Sequence, residues 1–272
     1  MKIWIITSWS ETLTLFKFLS KHDHDYVVYY DFLHRPYGDK TFEQSLACVQ
    51  KWIDYLTTQN VDYIILPPVY ELALLDWKIE RLKNWKILPL FKNYLLEYCF
   101  KYSLVGKLGL FWDFADVEQA QALIKKSEKE YVLAQNQKAI KKFHSPFAYR
   151  VKKTPLWKYY LTSLSYSNIL VNKIIKFDLR YFKDAMVDTL IPLNYGFFHY
   201  QNTITKFLNF KKIRFHGLEK LETIFASFKF KESKTYSVTM SYTGHVEILK
   251  REKRLMWLLQ RGKTTEIVFE KI

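Results

Sequence analysis

Several polar side chains of this chain could form a polar site and move a proton. The densest group is in YYDFLHRPYGDKT (residues 29–41), where a Pro-Tyr-Gly turn follows an aromatic run. Pro36 fixes the bend, and Gly38 allows a backbone conformation or a close approach that a Cβ would prevent. Because histidine and tyrosine can exchange protons, a small polar site with acid–base chemistry is one interpretation. Its candidate residues in this stretch are Asp31, His34 and Tyr37.

Motifs for other chemistries are absent from the sequence. There is no G-x-G-x-x-G, Walker loop, G-x-S-x-G or H-E-x-x-H. The seven histidines show no metal-ligand spacing with cysteines or carboxylates. The run His22–Asp25, His-Asp-His-Asp, has ligand-type side chains but falls in a predicted loop between a helix and a strand. We therefore expect no metal site.

The cysteine content and the first residues bear on the cellular compartment. Cys48 and Cys99 are the only cysteines, too few for a disulfide framework, which favours a reducing cytoplasm. The opening run MKIWIITSW is typical of an apolar strand and lacks a signal-peptide cleavage site. No uncharged run approaches the length of about 18 residues that a membrane span needs. We expect neither export nor a membrane span.

Positive charge is concentrated in the middle of the chain. Of the formal net charge of +15, +11 lies between Lys125 and Lys183, where fourteen lysines and arginines face three acidic residues. Aromatic residues are interleaved with these charges: Phe143, Phe147, Tyr149, Trp157, Tyr159, Tyr160 and Tyr166. Such a mixture can bind phosphates and bases, although a charge run is also typical of a solvated surface. The candidate polyanion-binding cluster is Lys141, Lys142, Arg150, Lys152 and Lys153.

Apolar periodicity predicts alternating strands and helices in the first third of the chain. KIWIIT is a predicted strand, and the helix after it has Leu13, Phe16 and Leu19 at helical spacing, with Ser10 as its N-cap. DYVVYYD, FEQSLACVQKWIDYLTTQ and VDYIILPP continue as strand, helix and strand. This alternation is typical of a parallel sheet with helices on its faces.

A second α/β round begins at WKILPL and runs through a helix at NYLLEYCFKYSLV, a strand at KLGLFWD and a helix at ADVEQAQALIKK. DLRYFKDAM, DTLIPLN, HYQNTITKFL, KIRFH and GLEKLETIFASF alternate as helix and strand after it, ending on a helix. YSVTMS and TTEIVFEKI are predicted strands on either side of a last helix. No Gly/Ser linker separates the halves, which predicts two α/β domains joined by crossovers.

Taken in order, these pieces resemble glutamate racemase, of the aspartate/glutamate racemase superfamily, along nearly the whole chain. The family's DSGVGGLTVL corresponds to TSWSETLTLF, which matches at Ser8, Leu13 and Thr14. The family's D-x-x-R-x-PYG-x-K-S/T has His34 here in place of its arginine. The matching residues are Asp31, Pro36, Tyr37, Gly38, Lys40 and Thr41. VDTLI and SVTMS resemble the family's later strands, and the turn at Gly38 resembles its substrate-holding loop.

The resemblance implies a fold and a domain division. The expected fold is α/β, with two pseudo-symmetric α/β domains whose mostly parallel sheets face an interdomain cleft. The first domain is expected to contain residues 1–92 and 210–272, and the second residues 93–209. Because proteins of this family are commonly dimers and need no cofactor, we expect a homodimer or another protein partner, and no cofactor.

The resemblance also implies a mechanism that this sequence does not support. In the family, two cysteines on opposite sides of the substrate remove and return the α-proton. Where the family has ACNTAS, this chain has PPVYEL, which places Pro68, Val69 and Tyr70 at the cysteine, asparagine and threonine. Where the family has GCTHYP, it has LNYGFF, which places Asn194, Tyr195 and Gly196 at the cysteine, threonine and histidine. Neither proline nor asparagine can act as the base.

Auxiliary positions of the family differ as well. Thr7 replaces the opening aspartate, and a family glutamate falls near Lys153. Bulky Trp9, Tyr70, Tyr195 and Phe197 stand where the family has glycine or small polar residues. The residues of the vestigial cleft are therefore expected to be Thr7, Ser8, Asp31, His34, Pro36, Tyr37, Gly38, Val69, Tyr70, Tyr195 and Gly196.

Three functional hypotheses follow. Loss of both proton carriers predicts a catalytically inactive pseudoenzyme with a binding or regulatory role. The alternative is an enzyme of altered chemistry, of isomerase or lyase type, that acts on a small acidic or amino acid substrate in the same cleft. Its polar site would consist of Ser8, Asp31, His34, Tyr37, Tyr70, Asn194 and His199. The second alternative is a nucleic-acid-associated protein that uses its basic second domain for weak binding.

Overall fold

The computed structural model describes residues 1–31, 40–57, 61–76, 87–112, 117–137, 147–162, 169–209, 212–230, 236–243 and 267–271. The chain divides into two compact units. The first contains Met1–Pro89 and Ala226–Ile272, and the second contains Leu90–Phe225. In the part of the chain that the structure describes, no helix has the length and apolarity needed to cross a membrane.

Strands and helices alternate along the described chain. The strands are β1 (Lys2–Ile6), β2 (Asp25–Asp31), β3 (Tyr63–Ile65), β4 (Lys107–Trp112), β5 (Ala148–Lys153), β6 (Thr189–Pro192), β7 (Arg214–Phe215), β8 (Ser237–Thr243) and β9 (Ile267–Lys271). The α-helices are α1 (Trp9–Leu19), α2 (Phe42–Thr57), α3 (Pro68–Asp76), α4 (Leu90–Tyr94), α5 (Val117–Gln137), α6 (Pro155–Thr162), α7 (Ile169–Asp184), α8 (Gln201–Leu208) and α9 (Leu218–Ser227). A π-helical turn covers Leu95–Phe100, and a 3₁₀ helix covers Tyr195–Tyr200.

The first unit contains a five-stranded sheet in the order β3-β1-β2-β8-β9. All four strand pairs are parallel. β1 consists almost entirely of buried apolar residues, as expected of a parallel strand covered on both faces. β8, from the C-terminal part of the chain, pairs with β2 from the N-terminal part. In this pairing Ser237 lies opposite Asp25, and its Oγ–H donates to the Asp25 carboxylate at 2.7 Å.

The second unit contains a four-stranded parallel sheet in the order β5-β4-β6-β7. A core cluster packs α6, α7, α8 and the 3₁₀ helix against it around Phe111, Trp157 and Phe197. In β4, a Cβ at Gly109 would lie 2.7 Å from the side chains of Phe182 and Leu190. A side chain at this position would force these two buried side chains to shift. Two parallel sheets with helices confirm the predicted α/β class.

Several elements differ from the sequence-based expectations. β5 and α6 were not predicted from the sequence. The strand β5 was missed because it is a charged edge strand without clear alternation of buried and exposed residues. At WKILPL, Ile87 forms an isolated bridge with Ile64, and Leu90 already begins α4. The resemblance places the second domain boundary near residue 210. In the structure β7 pairs with β6 in the second sheet, and residues up to Phe225 group with the second unit. The expected helix VEILKREKRLMWLL lies outside the described residues.

Candidate functional site

The carboxyl end of β1 is followed by two of the predicted cleft residues, Thr7 and Ser8. Thr7 is buried, and its Oγ1 lies 2.8 Å from Oγ1 of Thr12 in α1. Ser8 is the N-cap of α1, and both its backbone N–H and its Oγ–H donate to Oε2 of Glu11, at 2.9 and 2.6 Å. The predicted N-cap, Ser10, was therefore wrong: it lies inside α1 and is buried. Both polar groups at this strand end are engaged within their own helix start.

The residues after β3 begin a helix where the resemblance places a catalytic thiol. Pro68 is the first residue of α3, a position that suits proline because the first helical N–H needs no partner. Val69 and Tyr70 are buried, and the Tyr70 ring stacks on Phe42 with 5.9 Å between ring centres. Neither Pro68 nor Val69 has a side-chain proton to exchange with a Cα, and Tyr70 is packed in the core beside Phe42.

The residue after β6 that corresponds to the second thiol is likewise part of a helix start. Asn194 is buried and extended, and its Oδ1 accepts the backbone N–H of Gly196 at 2.7 Å. The next residues, Tyr195 and Phe197, are fully buried in the second unit. Tyr195 meets the Phe91 ring edge to face at 6.2 Å. The amide therefore caps the 3₁₀ helix and presents no base.

Replacing Asn194 by alanine should reduce the free energy of unfolding by about 1–3 kcal/mol, because the buried N–H of Gly196 then lacks an acceptor. Serine at the same position can still act as an N-cap, so the free energy of unfolding of the Asn194→Ser variant should fall much less. Chemical denaturation of the two variants measures the difference. An alanine variant as stable as the parent would contradict the capping role.

Part of the predicted cleft falls on residues outside the described ranges. His34, Pro36, Tyr37 and Gly38 lie outside the described residues, and of Asp31 only its backbone at the end of β2 is described. The turn that resembles the family's substrate loop therefore stays a prediction. Among the polar candidates that remain, His199 lies partly buried in the 3₁₀ helix.

The two cysteines occupy structural positions. Cys99 is fully buried in the π-helical turn, and burial raises the pKa of its thiol, so that the thiolate a racemase needs is disfavoured. Cys48 is partly buried within α2. Among the described residues, no three His, Cys, Asp or Glu side chains converge as a metal site would require.

The basic segment is only partly the surface that its composition suggests. Phe147, Tyr149 and Trp157 are buried, so these rings are core and cannot stack on bases. Tyr159, by contrast, is 63% exposed. Tyr160 is partly buried and packs against the core cluster, while Phe143 and Tyr166 lie outside the described residues.

The predicted polyanion cluster is likewise divided. Arg150 and Lys153 are exposed on β5, whereas Lys141 and Lys142 lie outside the described residues. Lys152 is engaged: its Nζ lies 3.5 Å from Oδ1 of Asp178 and 5.8 Å from the centre of the Tyr181 ring. These two contacts join β5 to α7 and leave Arg150 and Lys153 as the exposed cations of the strand.

Two groups of residues were missed by the sequence interpretation. The exposed face of α7 carries Phe177 and Tyr181 beside its cations, which the helical spacing of the segment could have indicated. A cluster of rings and cations around His216 joins segments more than a hundred residues apart. Only the Tyr98–Tyr102 spacing of one helical turn hinted at it.

Comparison with known proteins gives matches in structure only. No protein-family model and no curated protein matches the chain. A glutamate racemase of Thermus thermophilus, solved in complex with β-chloro-D-alanine, has a TM-score of 0.71 at 16% identity, over 100% of this chain and 96% of that chain. A glutamate racemase isoform of Bacillus anthracis has a TM-score of 0.70 at 14% identity, over 99% and 96%.

A glutamate racemase of Francisella tularensis in complex with D-glutamate has a TM-score of 0.69 at 16% identity, over 100% of this chain and 96% of that chain. At these identities the likeness shows the fold alone. The chain has the glutamate racemase fold, and the resemblance drawn from the motifs is confirmed at that level.

Proposed function

We propose that this chain is a divergent protein of glutamate racemase fold that does not racemise glutamate or aspartate and has a binding or regulatory role. One observation carries the proposal: the residues at both expected thiol positions serve as the starts of helices. Pro68 begins α3, and Asn194 caps the 3₁₀ helix through the N–H of Gly196. Racemisation by two bases needs a proton carrier on each face of the substrate Cα, and neither side chain is one.

Burial near these positions supports the same proposal. Tyr70 and Tyr195 are almost completely buried, and each packs against another ring of its own unit. Bulky side chains thus occupy positions at which the resemblance places small polar groups. The residues at the end of β1 give little support to the alternative of an enzyme with altered chemistry, because the hydroxyl of Ser8 already donates to Glu11 and that of Thr7 pairs with Thr12.

The proposal is tested by incubating the purified chain with each enantiomer of glutamate and of aspartate, followed by chiral chromatography. We expect no interconversion above a buffer blank, while an active glutamate racemase handled in parallel supplies the positive control. Interconversion that rises in proportion to the protein concentration would refute the proposal.

A second candidate function, weak binding of single-stranded nucleic acid, is supported by the exposed face of α7. Lys173, Lys176 and Arg180 are exposed on this helix, as are Phe177 (68%) and Tyr181 (40%). Residues 173, 176, 177 and 180 follow the i, i+3, i+4, i+7 spacing of one helical stripe. At 1.5 Å per residue this stripe is about 10 Å long.

The chemistry of the α7 face suits an unpaired strand. Lysine and arginine contact phosphates, and each such contact releases counterions from the nucleic acid. Exposed rings stack on unpaired bases with little sequence preference. The carboxylate of Asp178 offsets the positive charge of this face only in part, because it accepts Nε1–H of Trp157 at 2.9 Å and pairs with Lys152.

Charge reversal on this face should weaken binding strongly. In fluorescence anisotropy with a single-stranded DNA oligomer at low salt, we expect the Lys173→Glu/Lys176→Glu/Arg180→Glu variant to lose at least about tenfold in affinity. The log-log salt slope should fall by about 2, since each phosphate contact on single strands contributes about 0.7.

A matched control carries the same change of charge elsewhere. Lys125, Lys126 and Lys129 are exposed on α5, and their combined replacement by glutamate should change the salt slope much less. Equal losses in the two triple variants would indicate only a net-charge effect. No binding by the parent at low salt would remove this candidate function.

A further inference from the structure

Three rings of the second unit form a cluster beside β7, and we refer to Tyr98, Tyr102 and His216 as the His216 cluster. The Tyr98 and Tyr102 rings stack with 6.1 Å between their centres. The His216 ring lies 5.8 Å from each of them. The cluster therefore joins the helical segment around residues 94–102 to the residue that follows β7.

Cations surround this cluster. Lys220 Nζ lies 5.5 Å from the centre of the Tyr98 ring, and Lys101 Nζ lies 5.6 Å from that of Tyr102. Arg214 donates through Nη1 to the backbone carbonyl of Tyr102, which holds its side chain in place. A guanidinium positioned by a neutral carbonyl keeps its full charge available to an anion.

A cavity of about 430 Å³ opens at Arg214 and His216, a size typical of small-ligand sites. Its described lining is Leu104, Thr205, Leu208, Asn209, Lys212, Ile213, Arg214, Phe215 and His216. None of these nine residues is acidic, and two are cations. Four apolar side chains form the rest of the wall together with three neutral polar residues, Thr205, Asn209 and His216. The lining thus combines positive charge with an apolar surface.

His216 responds to this positive environment. Burial, followed by the charges of Arg214 and Lys220, lowers the pKa of its imidazole to about 4. Its Nε2 is buried and has no hydrogen-bond partner among the residues that the structure describes. The imidazole is therefore neutral at pH 7, and an anion bound near these cations would oppose their effect on it.

We propose that the cavity beside β7 binds a small organic anion, a phosphate or a carboxylate carried by a flat apolar body. Arg214 and Lys212 bind the anionic group, and Leu208 and Phe215 contact the apolar body. Because phosphate and carboxylate are both anionic, the cations alone do not show which of them is bound. Phenyl phosphate and benzoate, used as probes, distinguish the two. This site is independent of whether the chain racemises amino acids.

Four probes separate the contributions of charge and ring in calorimetric titrations at pH 7. Phenyl phosphate and benzoate carry both, inorganic phosphate carries only charge, and benzyl alcohol carries only a ring. We expect binding of phenyl phosphate, benzoate or both at millimolar concentrations, and binding weaker by about tenfold for the other two. Equal binding of inorganic phosphate or of benzyl alcohol, or no binding of any probe, would overturn the proposal.

Variants locate the binding. Arg214→Gln should lower the affinity for the probe that binds the parent more tightly by about tenfold, and Lys212→Asn should lower this affinity too. Asparagine tolerates the positive φ of 53° at residue 212, so this second variant is expected to fold even if the first does not. Lys125→Gln, which removes an exposed charge from α5, is the control. Equal affinity of all three variants and the parent would contradict the site.

The imidazole supplies a readout that a nonspecific charge effect would not change. NMR titration of the His216 ring should show its pKa rising from about 4 towards its ordinary value when the tighter probe saturates the site. The charged groups that act on it are Arg214 on β7 and Lys220 on α9, while Tyr98 and Tyr102 face it from the helical segment. An unchanged pKa at saturation would place the anion elsewhere and overturn the proposal.

Discussion

Replacing Trp157 by alanine should lower the free energy of unfolding by about 3–5 kcal/mol, the range found for large buried aromatic residues. Trp157 is fully buried, and its ring contacts Phe111, Phe197 and Tyr200 with 5.1–5.7 Å between centres. Its Nε1–H donates to Asp178 at 2.9 Å, and its carbonyl accepts the Tyr200 hydroxyl. Truncation leaves a cavity and removes a donor from a partly buried carboxylate.

Two control variants make this result specific. Tyr159, two residues away on the same helix and mostly exposed, should tolerate alanine within about 0.5 kcal/mol. Trp157→Phe keeps an aromatic ring but removes the donor to Asp178, so its free energy of unfolding should fall by an intermediate amount. Urea denaturation of the three variants gives the values. Equal stabilities of Trp157→Ala and Tyr159→Ala would contradict the assignment of Trp157 to the core.

The alternation of strands and helices could be predicted from the sequence because period-2 and period-3.6 patterns reflect burial directly. β1, α2 and β8 follow this rule. β5 could not be recognised, since AYRVKK at a sheet edge carries three cations and pairs with only one neighbour. The short β7 was expected as a strand, but its partner β6 could be known only from the register of Thr189 with Arg214.

The candidate site was predictable in part. Pro68 and Asn194 were identified from the order of motifs, but the use of Asn194 as a cap depends on backbone geometry that one sequence does not specify. The interleaved aromatic residues could not be assigned to core or surface from the sequence, because tertiary packing and not spacing decides that Trp157 is buried while Tyr159 is exposed. The His216 cluster depends on contacts between distant segments, which no local pattern records.

Restoring the two thiols should not restore racemisation. In a Pro68→Cys/Asn194→Cys variant, Tyr70 and Tyr195 keep their bulk where the resemblance places small polar groups, and Thr7 keeps the position of the aspartate. The parent lacks both acid–base groups, each of which typically contributes about 10²- to 10⁴-fold to a rate. Chiral chromatography of glutamate incubated with the folded variant checks this expectation. Turnover by the variant would show that the thiols alone were missing.

Exchange of the α-proton is the step common to every two-base racemisation, and it can be detected even when no net inversion occurs. The direct measurement is the incorporation of solvent deuterium at Cα of L-glutamate and of D-glutamate, followed by ¹H NMR in D₂O. With Pro68 and Asn194 in place of the two thiols, we expect incorporation at the rate of the buffer blank for both enantiomers. Deuterium at Cα of either enantiomer, at a rate proportional to the protein concentration, would contradict the central claim.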